Sequence, residues 1–155
     1  MNTTKVQTDY LKRLIKGEQT LFCSGIEGKI GLSDTKAVFL IPTEQMYLDR
    51  KDRTYFDLKQ HYLLAAFDAC VSIEKTDETF KTPDGEAVIF SNDTVQMLIL
   101  KKYLSYCDKY DRFYAKSPRD PLYVTDEDLQ IQAVILPYRS VEFEQKRIKE
   151  ARNND

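Results

Sequence analysis

VQTDYLKRLI, residues 6–15, aligns with VQMLILKKYL, residues 95–104, at a constant offset of 89 residues. In this alignment several apolar residues and both basic residues occupy equivalent positions. Each copy runs through a β-like stretch into a similar apolar ending, AVFLIP at 37–42 and AVILP at 133–137. These endings lie 96 residues apart, so the second copy carries an insertion of several residues. A short basic helix followed by strands, occurring twice, predicts a duplicated unit. The alternative is that two such short segments resemble each other by chance, without any duplication, and the sequence leaves both explanations open.

The composition is that of one ordinary globular domain. The chain has 155 residues, of which 42% are hydrophobic and 31% charged, enough to bury a core. It contains no apolar run of the roughly 20 residues that a membrane helix needs, and its first residues lack the apolar core of a signal peptide. Cys23, Cys70 and Cys107 are odd in number and far apart, unlike a disulfide framework or a zinc site. We therefore expect a cytoplasmic protein with no membrane partner and no metal.

Basic charge is concentrated in the two repeated segments. Residues 5–16 carry four basic side chains against one acidic, and residues 95–109 carry three against one, whereas the whole chain has a net charge of −2. The rest of the chain is therefore acidic, and such segregation focuses a positive field toward a polyanion. Ordinary surface helices also favour lysine and arginine, so this distribution does not by itself identify a partner.

In the first half, caps, glycines and alternation predict a short strand, a helix and then more strands. Thr8 is the expected N-cap of the helix and Gly17 its stop. Glycines between residues 25 and 31 indicate bulges or close backbone approach within the strands. The expected strands cover residues 3–7, 21–32, 37–41 and 45–48, with a turn at 33–36.

In the second half the pattern predicts helices, a hairpin and a closing set of strands. Residues 57–70 fit either a helix or a strand-rich connection, and the helix is favoured. Asn92-Asp93-Thr94 offers caps for a helix of about 12 residues that covers the second basic segment. The remaining expected elements are a charged turn at 49–53, a strand from 71, a turn at 83–85, strands at 87–90, 111–116, 121–125 and 130–136, and a helix at 142–152.

Several motifs that suggest chemistry have simpler explanations. The segment from Gly25 to Gly31 lacks the Ser or Thr after lysine that a phosphate loop requires, and its context is β. His61, the single histidine, has no nucleophile and acid arranged around it in the sequence. Asp126, Glu127 and Asp128 lack calcium-loop spacing and predict a solvated turn. We therefore predict no catalytic residues and no cofactor.

Tyrosines interleaved with cations follow the second basic segment. Tyr103, Tyr106, Tyr110 and Tyr114 alternate with lysines and arginines, a pattern that suits stacking on nucleic-acid bases. The favoured interpretation is that Tyr103 and Tyr106 are partly in the core, with their hydroxyl groups reaching water.

The end of the chain resembles the closing hairpin of the DNA sliding clamp family. PLYVT at 121–125, a turn and QAVILPYR at 132–139 are similar to a proline-led strand followed by an apolar strand that ends in Met-Pro-x-Arg. Leu136 stands in place of the methionine, while Pro137 and Arg139 match. The resemblance covers about the last 45 residues as sequence and most of the chain as architecture. It implies an α+β fold with a duplicated β-α-β-β-β unit, antiparallel sheets and two helices on one face.

The resemblance also implies a protein without catalytic activity that acts in replication, repair or a mobile element. Clamp rings encircle double-stranded DNA with basic helices, through contacts to phosphates that carry no sequence information, and tether a polymerase. The residues expected to face DNA are Lys12, Arg13, Lys16, Lys101 and Lys102. The family's pocket for a partner peptide maps to Leu136, Pro137 and Arg139.

The chain departs from the family in two ways. It has room for one clamp-like domain, at residues 1–140 with halves at about 1–48 and 86–139, whereas a ring contains six. It also continues as a charged tail at 141–155, where the family normally stops. The alternatives are therefore an oligomeric ring, a clamp-like or other α+β module that binds only protein, and, third, an enzyme of unknown class.

Overall fold

The computed structural model describes residues 1–48 and 54–154, and its first element is a longer helix than the sequence predicts. Helix α1 covers Thr3–Ile15, so the predicted strand at 3–7 is wrong. The reason lies in the cap: the Asn2 side chain accepts a hydrogen bond from a first-turn amide, and Thr8 becomes an interior residue. Gly17 follows the C-cap with φ of 75°, as expected for a helix stop.

Three antiparallel strands follow α1 as the sequence predicts. They are β1 (Leu21–Ser24), β2 (Lys29–Ser33) and β3 (Ala37–Pro42). The strand expected at 45–48 is absent from the described part of that segment, because the chain after Pro42 forms a 3₁₀ turn at Thr43–Gln45. The charged turn predicted at 49–53 lies outside the described residues.

The middle of the chain contributes two short edge strands and a helix. Strand β4 (Tyr55–Asp57) pairs in parallel with β1, and β5 (Val71–Ser72) pairs with a later strand. Between them lies α2 (Gln60–Asp68), which confirms the helix favoured at 57–70.

A separate three-stranded antiparallel sheet extends into the region where the sequence predicts a long helix. It consists of β6 (Glu74–Thr82), β7 (Gly85–Ser91) and β8 (Gln96–Leu100), and a single-turn helix α3 (Lys101–Leu104) follows. The helix of about 12 residues predicted after residue 94 is therefore wrong. The Asn92 side chain accepts hydrogen bonds from the Thr94 and Val95 amides, which turns the chain back onto β7.

The last strands and the last helix agree with the sequence prediction. They are β9 (Arg112–Ala115), β10 (Leu122–Thr125), β11 (Ile131–Ile135) and α4 (Val141–Asn153).

The main sheet has eight strands in the order β4-β1-β2-β3-β11-β10-β9-β5. Its centre is the antiparallel pair β3–β11, hereafter the seam, in which Val38 faces Val134. Both apolar endings that match at an offset of 96 are therefore neighbours in the seam. On either side a helix precedes a three-stranded meander, α1 before β1–β3 and α3 before β9–β11.

The α+β fold is confirmed, whereas the duplicated β-α-β-β-β unit is not. Only the second meander is preceded by both a strand and a helix. The two matched basic segments also adopt different structures, since residues 6–15 are helical and residues 96–100 are a strand.

The core lies on both faces of the main sheet, and β3 shows the alternation directly. Phe39 and Ile41 point into the larger cluster, which contains α1, α3 and the three-stranded sheet. Leu40 and Val38 point to the smaller cluster under α2. Phe39 is completely buried, and its ring lies 4.9 Å from that of Tyr106 and 6.2 Å from that of Tyr10. The two basic segments therefore pack on the same face of the sheet.

Candidate binding site

A cavity of about 300 Å³ opens where the chain leaves the seam. Three parts of the chain form it: the turn between β2 and β3, the junction of β8 with α3, and the residues after β11. Its lining side chains are Lys36, Leu100, Tyr103, Leu136, Pro137, Tyr138 and Arg139. Leu136, Pro137 and Arg139, which the resemblance assigns to a partner pocket, all line this cavity.

Backbone hydrogen bonds hold the segment after β11 in place. The Leu136 amide donates to the Lys36 carbonyl at 2.8 Å, and the Tyr138 amide donates to the Leu98 carbonyl at 2.8 Å. The segment therefore bridges the main sheet and the three-stranded sheet. At the first of these anchors Leu136 stays 48% exposed and lines the cavity.

Asp34 fixes the opposite wall. Its carboxylate accepts hydrogen bonds from the Lys36 and Ala37 amides at 3.0 Å and from the Tyr103 hydroxyl at 2.7 Å. Burial, together with the hydrogen bond to Asp34, raises the pKa of Tyr103 above the usual tyrosine range. Tyr103 therefore stays protonated and holds its ring against the cavity as a hydrogen-bond donor.

The rim of the cavity carries two cations. Lys36 and Arg139 are exposed, and neither forms a salt bridge within the described residues. No acidic residue lines this cavity in the described structure, and the carboxylate of Asp34 behind Tyr103 already accepts three hydrogen bonds. The cavity therefore combines an apolar floor with uncompensated positive charge.

The residues predicted to face DNA lie at the ends of α1 and β8. Lys12 and Lys16 are exposed at the C-terminal end of α1. Arg13 is half-buried, pairs with Glu18 at 3.1 Å and donates to the Gln19 carbonyl at 3.0 Å. A third contact of Arg13 is with the Tyr10 ring, 5.8 Å away. Arg13 is thus committed to local structure.

The two lysines of the second segment differ in their surroundings. Lys101 lies 3.6 Å from a Glu86 carboxylate oxygen, and both side chains are exposed. Lys102 lies over the Tyr103 ring at 5.0 Å, beside the candidate cavity.

Direct contacts join α1 to the α3 segment and so bring the two basic groups to one face. The Tyr106 hydroxyl donates to the Asp9 carboxylate at 2.8 Å, and the Lys5 ammonium donates to the Ser105 carbonyl at 3.3 Å. Tyr103 and Tyr106 are buried, which confirms that they belong to the core. Their hydroxyl groups, expected to reach water, instead donate hydrogen bonds to the carboxylates of Asp34 and Asp9. Tyr110 is 55% exposed.

The remaining motifs have structural explanations. His61 is exposed on α2, with its ring 4.0 Å from that of Tyr62. Asp126 accepts hydrogen bonds from the Asp128 and Gln130 amides, which forms the predicted turn. In residues 1–48 and 54–154 no three His, Cys, Asp or Glu side chains are grouped to hold a metal ion. No helix in this described part is long and apolar enough to cross a membrane.

Four further residues line the cavity although the sequence patterns do not single them out as site residues: Lys36, Leu100, Tyr103 and Tyr138. The predicted helix after residue 94 includes Leu100 and Tyr103 and so hides that Leu100 ends a strand and that Tyr103 lies in the single turn of helix after it. The one available signal is the continuous apolar run MLIL at 97–100, which fits a strand enclosed on both faces and equally a buried turn of helix.

The chain matches no protein-family model, no curated protein and no solved structure.

Proposed function

We propose that this protein is a non-catalytic binding module that holds a short segment of a partner protein in the cavity at the end of β11. The observation that carries this proposal is the cavity of about 300 Å³ with its partly exposed Leu136. Ligand cavities begin at roughly this size and combine apolar walls with a few placed polar groups. Leu100, Leu136 and Pro137 supply the apolar surface, and Lys36 and Arg139 supply the polar contacts.

The wall of the cavity is rigid, which favours tight binding of a ligand. Tyr103 is held by Asp34, and the segment from Leu136 to Tyr138 is tied to two sheets. A site fixed in this way loses little conformational entropy when a ligand enters. This arrangement also agrees with the clamp resemblance, in which the partner's peptide lies against the closing strand.

Selection of a displayed library of random 12-residue peptides on the full chain tests the proposal. We expect enriched peptides whose binding, measured by fluorescence anisotropy, weakens at least about tenfold with Leu136→Lys, because a charged side chain would replace an apolar contact. Leu129→Lys is the matched control, since Leu129 is 50% exposed on the β10–β11 turn. Equal loss in both variants, or no enrichment, would contradict the proposal.

Binding of double-stranded DNA is the second candidate, and the contact between α1 and α3 favours it. That contact makes the two segments neighbours. Lys12, Lys16 and Lys102 are exposed on them, and none forms a salt bridge in the described structure. Contacts between such cations and phosphates would give salt-dependent affinity without sequence preference.

Charge reversal separates this second candidate from non-specific attraction. Changing Lys12, Lys16 and Lys102 together to Glu should abolish binding to a duplex and its salt dependence. Arg13 and Lys101 are left unchanged because both already form ion pairs. The control changes Lys81, Lys116 and Lys149, which are also exposed. If both triple variants bind DNA as the unchanged chain does, the DNA role is wrong.

A further inference from the structure

The candidate cavity continues into a second one. A cavity of about 240 Å³ shares Arg139 with the first and is further lined by Arg119, Ser140, Val141 and Glu144. The two cavities together follow the chain from Leu136 to Val141. The second one is formed largely by α4 and its cap, in the part of the chain that lies beyond the clamp resemblance.

Helix α4 holds this second cavity in a fixed position. The Phe143 side chain is 8% exposed, and its ring lies 5.6 Å from that of Phe80 on β6. The Arg147 guanidinium donates to the Gln96 carbonyl at 3.2 Å. The Ser140 hydroxyl caps the helix by accepting a hydrogen bond from the Phe143 amide, at a distance of 3.2 Å. Val141 therefore has a defined place, although its side chain is 71% exposed.

Charge along the two cavities is predominantly positive. Lys36, Arg139 and Arg119 are all exposed, and within the described ranges none of them forms a salt bridge. Glu144 is the one acidic residue in the lining of either cavity. Two guanidinium groups on one cavity suit a carboxylate, which arginine binds with two parallel hydrogen bonds.

Apolar surface lies at both ends of this charged stretch. Leu136 is 48% exposed in the first cavity and Val141 is 71% exposed in the second. Five residue steps separate them, which is at most roughly 17 Å of extended chain. Five or six extended peptide residues are enough to reach both.

We propose that the partner segment is an extended acidic peptide that lies across both cavities. One apolar side chain occupies the cavity at Leu136, an Asp or Glu faces Arg139 and Arg119, and a second apolar side chain contacts Val141. The proposal rests on the proposed function and adds the partner's chemistry. A peptide is favoured over nucleic acid because Leu100, Leu136 and Pro137 would have no counterpart on a phosphate backbone.

The peptides selected on the full chain provide the test. We expect them to contain an acidic residue between two apolar ones, and replacing it with its amide should weaken binding at least about tenfold. The double variant Arg119→Glu, Arg139→Glu should have the same effect, with Arg112→Glu, an exposed arginine on β9, as control. Val141→Asp should weaken binding, whereas Ile148→Asp, at a 50% exposed position of the same helix, should not.

The outcomes distinguish this inference from the proposed function. In one outcome, binding depends on Leu136 but is unchanged by the acid-to-amide replacement in the peptide, by the arginine variants and by Val141→Asp. That outcome would overturn the acidic-peptide proposal and leave the binding module in place. Peptides insensitive to Leu136→Lys, or no selected peptides, would overturn both. In another outcome, duplex DNA displaces the peptides and binds the arginine variants more weakly than the unchanged chain. That outcome would assign the cations to nucleic acid and overturn the acidic-peptide proposal.

Discussion

At the scale of single residues, Asp34 connects the fold to the candidate site. It caps the β2–β3 turn through two backbone amides and orients Tyr103 through one hydroxyl. The turn itself contains Thr35 with φ of 78°, a conformation that a non-glycine residue adopts only when its surroundings stabilise it. One carboxylate therefore stabilises both the turn and the cavity wall.

Replacing Asp34 should consequently affect stability and binding together. Asp34→Ala leaves the Tyr103 hydroxyl and two amides without their acceptor, and we expect a loss of about 2–3 kcal/mol in the free energy of unfolding. Urea denaturation measures this loss, and the affinity for selected peptides should fall as well. Asp128→Ala, at an exposed turn position, should change the unfolding free energy by less than about 0.5 kcal/mol. Similar losses in both variants would contradict this role.

Cys107 allows a prediction about pH. Burial, with the nearby Asp111 and Asp108, raises the pKa of Cys107 to about 12. The thiol should therefore stay protonated at pH 8, and its alkylation by iodoacetamide should be at least about a hundredfold slower in the folded chain than in urea. Peptide mapping by mass spectrometry assigns the rate to this cysteine. Equal rates with and without urea would show that the thiol is not protected.

At the scale of elements, Phe143 is the one buried side chain that holds α4 on the rest of the described structure. An isolated helix of 13 residues is marginal in water, so its order depends on tertiary contacts, namely the packing of Phe143 on Phe80 and the hydrogen bond from Arg147 to Gln96. The same packing supports the second cavity.

Removing the anchor should release the helix locally. With Phe143→Ala we expect amide hydrogen exchange to rise at least about tenfold across residues 141–153, while β3 and β11 keep their protection. Ile148→Ala is the control on the same helix, since Ile148 is half exposed. A uniform rise in exchange over the whole chain would mean that α4 is part of the global folding unit instead.

Elements also show where sequence-based prediction works. Strands β9–β11 and helix α4 follow from local pattern, because nearby residues such as Asp126 and Ser140 form their turn and cap. Helix α2 follows from apolar spacing alone, since no side chain caps its N-terminus. Residues 96–100 do not: their apolar spacing fits the start of a helix, but pairing with β7 makes them a strand.

The same limit applies to the candidate site. Leu136, Pro137 and Arg139 lie in one short segment that a sequence motif can single out. Leu100 and Tyr103 reach the cavity only through tertiary packing, which no local pattern shows.

At the scale of the whole molecule, the sheet edges are poor surfaces for self-association. The outer strands β4 and β5 of the main sheet have three and two residues. Edge strand β6 is rich in charged side chains, and the Tyr138 amide and Arg147 occupy carbonyls of β8. Short or charged edges oppose pairing between chains.

We therefore expect a monomer of about 18 kDa in solution. Light scattering on a sizing column, at low and high salt, measures the mass directly. A stable assembly of ring size would contradict this expectation and would make encirclement of DNA the working hypothesis. A monomer would agree with a module that acts by holding a partner.

The seam has a consequence for synthesis on the ribosome. Val38 and Val134 pair across 96 residues, so β3 is complete long before its neighbour β11 exists. At roughly 5–20 residues per second, that interval lasts about 5–20 seconds. During it AVFLIP presents an unpaired apolar edge, the kind of segment that joins other chains into aggregates. The nascent chain is thus most vulnerable at the strand that later forms the middle of its sheet, and slower translation would prolong that exposure.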